Sequence, residues 1–167
     1  MSLQIGFPLM LAAALLQAII LPRLRMYGGQ PDLVAIIVLA WAILDHKQEG
    51  MVWAFVGGLC LDLLSGVPLG ISSLVLVPIA FLVSLTEAQV YRTNVLLPLL
   101  LAGGGTLAYH VGYLFAIRFI VGMSVAWLQI LWYVTLPSLL FDMVVILPVL
   151  WVLRPWYARL HPGQMRI

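Results

Sequence analysis

The sequence predicts an all-α fold, a polytopic bundle of six transmembrane helices in a single transmembrane domain that covers residues 1–167. Three observations predict it. Apolar residues make up 64% of the chain and charged residues only 8%, far below the roughly 25% that is typical of soluble domains. Several uncharged runs approach the ~20 residues that a helix needs to cross a ~30 Å hydrocarbon layer. Alternating strands of about ten residues, which a membrane barrel requires, do not recur.

Polar clusters divide the chain into six predicted spans. They cover about residues 3–22, 29–45, 49–65, 69–86, 95–119 and 128–153. The first lacks the basic residues and the cleavage site of a secretory signal, so we expect it to be retained as a span. The second and third have short apolar cores joined by the polar hairpin "DHKQEG". They are either short tilted spans or a re-entrant pair that does not cross the bilayer.

The distribution of basic residues predicts that both termini are cytoplasmic. With six crossings and a cytoplasmic N-terminus, more Lys and Arg residues lie inside than outside, which agrees with the positive-inside rule. The inner residues are Lys47, Arg92, Arg154, Arg159 and Arg166, and the outer residues are Arg23, Arg25 and Arg118. Trp41 and Trp53 flank the inner hairpin, where interfacial aromatic residues are expected.

The third span carries a stripe of small residues on one arc of the helix, with Asp62 at its margin. Such a stripe lets another helix approach closely, which is a main source of helix association in lipid. A similar pair of alanines lies in the first span. The predicted partner-helix residues are therefore Ala14, Ala18, Gly50, Ala54, Gly57 and Gly58.

Asp62 lies inside an otherwise apolar span, just before the turn "SGVPLG". A carboxylate at the centre of a span costs roughly 2.5–3.5 kcal/mol on insertion scales, and less near an interface. Two roles are open. The carboxylate caps or pins the turn, in which Gly66, Pro68 and Gly70 allow a sharp change of direction, or it belongs to a transported-ion site.

Thr135, Ser138 and Asp142 fall on one face of the last span. An acid near mid-membrane must be protonated, paired or hydrogen-bonded. This face serves either as an internal polar clasp or as a contact for a partner helix. His110 in the fifth span has no other metal-binding residue at ligand spacing, so we expect a packing residue, no metal site and no cofactor.

Signatures of enzyme chemistry do not occur in the sequence. It contains no G-x-S-x-G, no H-E-x-x-H and no Gly-rich phosphate loop with its lysine. No basic run indicates nucleic-acid binding. We therefore expect a protein that is not an enzyme and does not bind nucleic acid.

Two motifs point to a known family. The second span opens with "PDL", which contains Asp32, and the third span reads "EGMVWAFVGGLCLDLLSGVPLG" through Gly70. A glycine that opens a span, further glycines, an aspartate and a Gly/Pro turn together resemble the MreD family of bacterial rod shape-determining membrane proteins. The segment "LPSLLFD" in the last span is also similar, although Asp142 stands where the family leads us to expect Asn.

The resemblance implies a non-enzymatic scaffold in the bacterial inner membrane that binds MreC through helix contacts within lipid. Through MreC it implies association with the glycosyltransferase RodA, its penicillin-binding transpeptidase and the filament protein MreB, and a part in regulating peripheral peptidoglycan synthesis. It also implies a fold like that of the substrate-binding subunits of energy-coupling-factor vitamin transporters. The alternative is a small-molecule carrier or substrate-binding subunit, with an outward cavity lined by Asp62, Tyr109, His110, Tyr113 and Arg118.

Overall fold

The computed structural model describes residues 3–24, 28–44, 49–85, 96–122 and 126–160. Helix α1 covers Leu3–Leu15 and continues through a π-helical turn at Leu16–Ile20 and a 3₁₀ turn at Leu21–Leu24. Helices α2, α3 and α4 cover Leu33–Leu44, Glu49–Ser65 and Ile71–Ser84. Helix α5 covers Leu96–Ala116 and continues as a π-helical turn at Ile117–Val121. Helix α6 combines Trp127–Ile130, a π-helical turn at Leu131–Thr135, and Leu136–Leu160.

The predicted all-α class is confirmed for these residues. Three stretches are long and apolar enough to cross a membrane, namely Gly6–Arg23, Leu96–Val121 and Trp127–Tyr157. Helices α2 and α4 are shorter and also apolar. Four basic residues on which the orientation prediction rests lie outside the described residues: Arg25, Lys47, Arg92 and Arg166.

Helix α2 is the centre of the bundle, because α1, α3, α4, α5 and α6 all contact it. Nearly every side chain from Val34 to Ile43 is buried. A helix that is apolar on all sides suits this position, since none of its faces has to meet water. Its 12 residues extend over about 18 Å, which is less than the ~30 Å hydrocarbon layer. The backbone at its ends therefore needs hydrogen-bond partners from the protein.

The small residues of α3 pack against helices of the same chain. A Cβ atom added to Gly57 would lie 2.8 Å from Val34 of α2, and one added to Gly50 would lie 2.9 Å from the α2 backbone. At Gly58 the neighbour is the backbone of Ser73 in α4, at 2.5 Å. Helices α2 and α4 thus fill the space in which the sequence led us to expect a partner helix.

The alanines of the predicted partner surface differ in their exposure. Ala14 and Ala54 are completely buried in the bundle, whereas Ala18 is exposed on the π-helical turn of α1. In this structure a partner helix has no access to the α3 stripe. The structure gives that stripe a role within the chain instead of at a partner interface.

Two tryptophans expected at the inner membrane surface are buried instead. Trp41 and Trp53 are only 1% and 2% exposed. The ring of Trp53 packs directly against Gly6 of α1, and the ring of Trp41 makes an edge contact with Tyr157. Both rings fill space between helices that pack around α2, so neither presents its face to the surroundings of the bundle.

Candidate functional site

A cavity of about 540 Å³ lies at one end of the bundle. The later residues of α1, α3 and α5 line it together with residues at the start of α4, near the start of α6 and just before α2. Its polar lining includes Gln17, Asp32, Ser72, Tyr109, His110 and Ser138. Its apolar lining includes Leu61, Leu114, Ile117, Ile130 and Val134. Polar side chains that are far apart in the sequence are thereby collected at one end of the molecule.

Asp62 caps the start of α4. Its Oδ2 accepts a hydrogen bond from the Gly70 N–H at 2.7 Å, and both carboxylate oxygens lie within 3.2 Å of the Ser72 nitrogen. Gly66 and Gly70 adopt φ angles of +69° and +99°, a left-handed conformation that favours glycine. The first N–H groups of a helix lack partners within the helix, and a carboxylate there also interacts favourably with the helix dipole. Asp62 therefore stabilises the corner that contains Pro68.

A second carboxylate caps the start of α2. Asp142 of α6 is fully buried, and its Oδ1 accepts the N–H of Asp32 at 2.8 Å. Its Oδ2 accepts the hydroxyl of Thr106 at 2.6 Å. Gln17 of α1 supplies another acceptor, because its Oε1 receives the Val34 N–H at 3.0 Å. Side chains from two neighbouring helices thus provide the acceptors that the first turn of α2 lacks.

Asp32 and His110 form the central contact of the cavity wall. His110 Nε2 lies 2.6 Å from Asp32 Oδ2, and His110 Nδ1 lies 3.0 Å from Thr135 Oγ1. Gln17 Nε2 donates to Asp32 Oδ1 at 2.9 Å. A carboxylate buried without such partners would cost several kcal/mol. The network therefore joins α1, the start of α2, α5 and α6 through one acid.

The polar face of α6 is an internal clasp. Thr135 contacts His110, and Ser138 Oγ accepts the N–H of Gln30 at 3.2 Å. Asp142 caps α2. All three residues of the face are at most 1% exposed. Of the two roles left open for this face by the sequence, the contacts fit the clasp.

Part of the cavity lining agrees with the residues proposed for the carrier alternative. Tyr109, His110 and Tyr113 line the cavity. Asp62 and Arg118 are not among its described lining residues, because the Asp62 carboxylate is directed at the start of α4 and Arg118 is exposed on the π-helical turn after α5.

The sequence did not predict three positions of the polar network: Gln17, Thr106 and Ser72. Their only local signal is a polar side chain within an apolar run, which does not reveal its partner. Within the described ranges, no group of three or more His, Cys, Asp or Glu residues is arranged to hold a metal ion. Cys60 is a buried free thiol.

Comparison with known protein families identifies a match over nearly the whole chain. The model described as "rod shape-determining protein MreD" matches residues 2–160. The search of the curated proteins and the search of the solved structures give no match. The family match extends over nearly the whole chain, and three described stretches have the length and composition of membrane spans. The chain is therefore a membrane protein with a role in rod shape determination, and it belongs to the MreD family.

Proposed function

We propose that this chain is a non-enzymatic scaffold of the cell-elongation machinery in the bacterial inner membrane, and that it binds MreC through helix contacts within lipid. In this proposal all six helices cross the bilayer and both termini are cytoplasmic. RodA with its penicillin-binding transpeptidase, and MreB, join through the complex, and the scaffold helps to regulate peripheral peptidoglycan synthesis. Membership of the MreD family supports the role in cell shape. A fold like that of energy-coupling-factor substrate-binding subunits stays a prediction.

A notch of small residues on the outer face of α5 is the observation that carries this proposal. Gly104 and Ala108 are both exposed and lie one turn apart. Apart from the adjoining backbone of α5 itself, no atom lies within 4 Å of a Cβ atom built on Gly104. The neighbouring Gly103 and Gly105 point inward instead, where an added Cβ would approach side chains of α6 and α2 at 2.6 and 2.7 Å. Gly104 is therefore directed away from the bundle.

Large apolar side chains frame this α5 notch. They are Leu100, Leu107, Val111 and Phe115, which are between 41% and 58% exposed. A pair of small residues between large ones lets a second helix approach closely. Apolar burial contributes little to helix association in lipid, so this close packing is a main contribution to binding. The α5 notch suits a single transmembrane helix such as that of MreC, and membrane lipid covers the other apolar faces.

Co-purification from membranes tests the proposal. Gly104→Leu and Ala108→Leu fill the notch, so we expect each to reduce the recovery of MreC about tenfold, which corresponds to ~1.4 kcal/mol of binding free energy. The isolated variants should unfold at the temperature of the wild-type protein, because both positions are exposed. Ala12→Leu, at an exposed alanine of α1, is the matched control and should leave MreC recovery unchanged.

Gly57→Leu is a second control, which shows the effect of a substitution that disturbs folding of the chain itself. Because Gly57 faces Val34 inside the bundle, this substitution should lower the unfolding temperature of the protein alone. Normal MreC recovery and normal rod shape with both notch variants would rule out the α5 notch as the docking surface.

A further inference from the structure

We propose that the cavity binds a small organic amine in its protonated form. The ammonium group lies against Asp32, and the apolar body lies against Tyr109 and Tyr113. This inference does not depend on the α5 notch. It concerns the interior of one end of the bundle, whereas the notch lies on the outer face of α5.

The cavity has the size and lining of a small-molecule site. Its volume of about 540 Å³ falls within the range of roughly 300–1,000 Å³ that is usual for ligand pockets. Polar groups such as Asp32 and Ser138 share the wall with Leu61, Leu114 and Ile117. Ligand pockets typically combine an apolar surface with a few polar groups that orient the ligand. This cavity therefore suits a molecule with one polar end and an apolar body.

Asp32 sets the charge preference of the cavity. The other two carboxylates at this end are used by the backbone, since Asp62 and Asp142 accept N–H groups at the starts of α4 and α2. The Asp32 oxygens instead contact the side chains of Gln17 and His110. A carboxylate offers roughly four lone-pair sites. Asp32 can therefore accept a further hydrogen bond from a ligand without losing either contact.

His110 does not have to be charged to make its two contacts. As a neutral imidazole with its proton on Nε2, it donates to Asp32, and its Nδ1 accepts the hydroxyl proton of Thr135. Of the two neutral tautomers, these partners favour the one with its proton on Nε2, because a carboxylate can only accept a hydrogen bond. The described lining residues include neither Lys nor Arg, and Arg23 and Arg118 are exposed. The negative charge of Asp32 thus favours a cation over a neutral molecule or an anion.

The tyrosines favour an organic cation over a metal ion. The rings of Tyr109 and Tyr113 lie 5.9 Å apart between centroids, and the hydroxyl of Tyr109 is 3.4 Å from Ser72 Oγ. Aromatic faces attract ammonium groups and also pack against flat apolar groups. The described residues offer no cluster of three metal-binding side chains, and the cavity is much larger than a bare ion.

Three indole compounds of similar shape and different charge test the proposal. Tryptamine is a cation, tryptophol is neutral and indole-3-propionate is an anion. With the purified full chain in detergent, tryptamine should raise the unfolding temperature in a saturable manner. It should bind about tenfold more tightly than tryptophol, a difference of ~1.4 kcal/mol. Indole-3-propionate should not stabilise the protein.

Variants locate the binding. Asp32→Asn should remove the preference for tryptamine over tryptophol. Ile117→Trp fills the apolar side of the cavity and should abolish binding. This variant tests the site independently if Asp32→Asn does not fold. Leu82→Trp, on the exposed face of α4, is the control and should leave binding unchanged. Equal stabilisation by all three compounds, or stabilisation that survives Ile117→Trp, would overturn the proposal. The absence of a saturable response to both tryptamine and phenethylamine would do the same.

Discussion

Two buried carboxylates of this protein act as caps for helix starts inside the bundle. A capping side chain at a helix start contributes about 1 kcal/mol in soluble proteins, and within lipid no water can replace it. Asp62 serves α4, and Asp142 serves α2. The cost of burying each carboxylate is offset by N–H donors and by the helix dipole. This explains why so apolar a chain keeps these acids.

Two substitutions of Asp142 test its role as a cap. In Asp142→Asn the side-chain oxygen still accepts the Asp32 N–H and the amide can donate to Thr106, so we expect about 1 kcal/mol of destabilisation or less. In Asp142→Leu both partners lose their acceptor inside the bundle, and we expect about 2–5 kcal/mol. Unfolding in detergent measures both. Equal losses would show that the negative charge matters more than the hydrogen bonds.

At the scale of the helices, the three π-helical turns in the described part of the chain all contribute to the cavity or its polar network. The turn in α1 contains Gln17, the turn after α5 contains Ile117, and the turn in α6 contains Val134 and Thr135. Single π-helical turns often occur at functional sites, because they change the direction of side chains within a helix. Their common position distinguishes this end of the bundle from the opposite end, where α2 ends and α3 begins.

The glycines of α3 and α5 have opposite surroundings, which a matched pair of variants can test. Gly58→Ala would place a methyl group 2.5 Å from the α4 backbone, so we expect about 1–3 kcal/mol of destabilisation. Gly104→Ala meets nothing within 4 Å and should be neutral or stabilising by up to ~1 kcal/mol, because alanine is the better helix former. Unfolding in detergent measures both stability changes. If Gly104→Ala destabilised the protein more than Gly58→Ala, the packing assigned to these glycines would be wrong.

At the scale of the whole molecule, the orientation decides which compartment the cavity faces. The corner at 66–70 follows α3, and the polar segment 45–48, which lies outside the described residues, precedes it in the sequence. If α3 crosses the bilayer and the N-terminus is cytoplasmic, the corner and the cavity beside it face outward. An outward cavity would be open to solutes outside the cytoplasm.

Cysteine labelling in intact cells tests this orientation. Cys60 is buried, and Cys60→Ala removes it as a background site. In that background Pro68→Cys should react with a membrane-impermeant maleimide, because the residue is exposed at the corner. Lys47→Cys should react only after the cells are permeabilised. Labelling of both positions from outside would show that α3 does not cross, and the reverse pattern would invert the predicted orientation.

The sequence predicted the helices more completely than it predicted the residues of the candidate site. The third predicted span, 49–65, has the same bounds as α3, because polar clusters and Gly/Pro breaks act locally. Tyr109, His110 and Tyr113 were expected at a cavity and line one. The role of Gln17 could not be predicted, because its side chain bonds to Asp32 and to the Val34 N–H, which lie 15 and 17 residues further along the chain.

The sequence by itself determined that this protein is an apolar helical bundle of the MreD family, because hydropathy, helix breaks and short motifs are properties of one segment. Only the tertiary structure decided that the α3 glycines pack against α2 and α4, and that Gly104 is exposed on the outer face of α5. A close approach or a buried hydrogen bond requires a second helix in a particular rotation. That rotation depends on the packing of all six helices around α2.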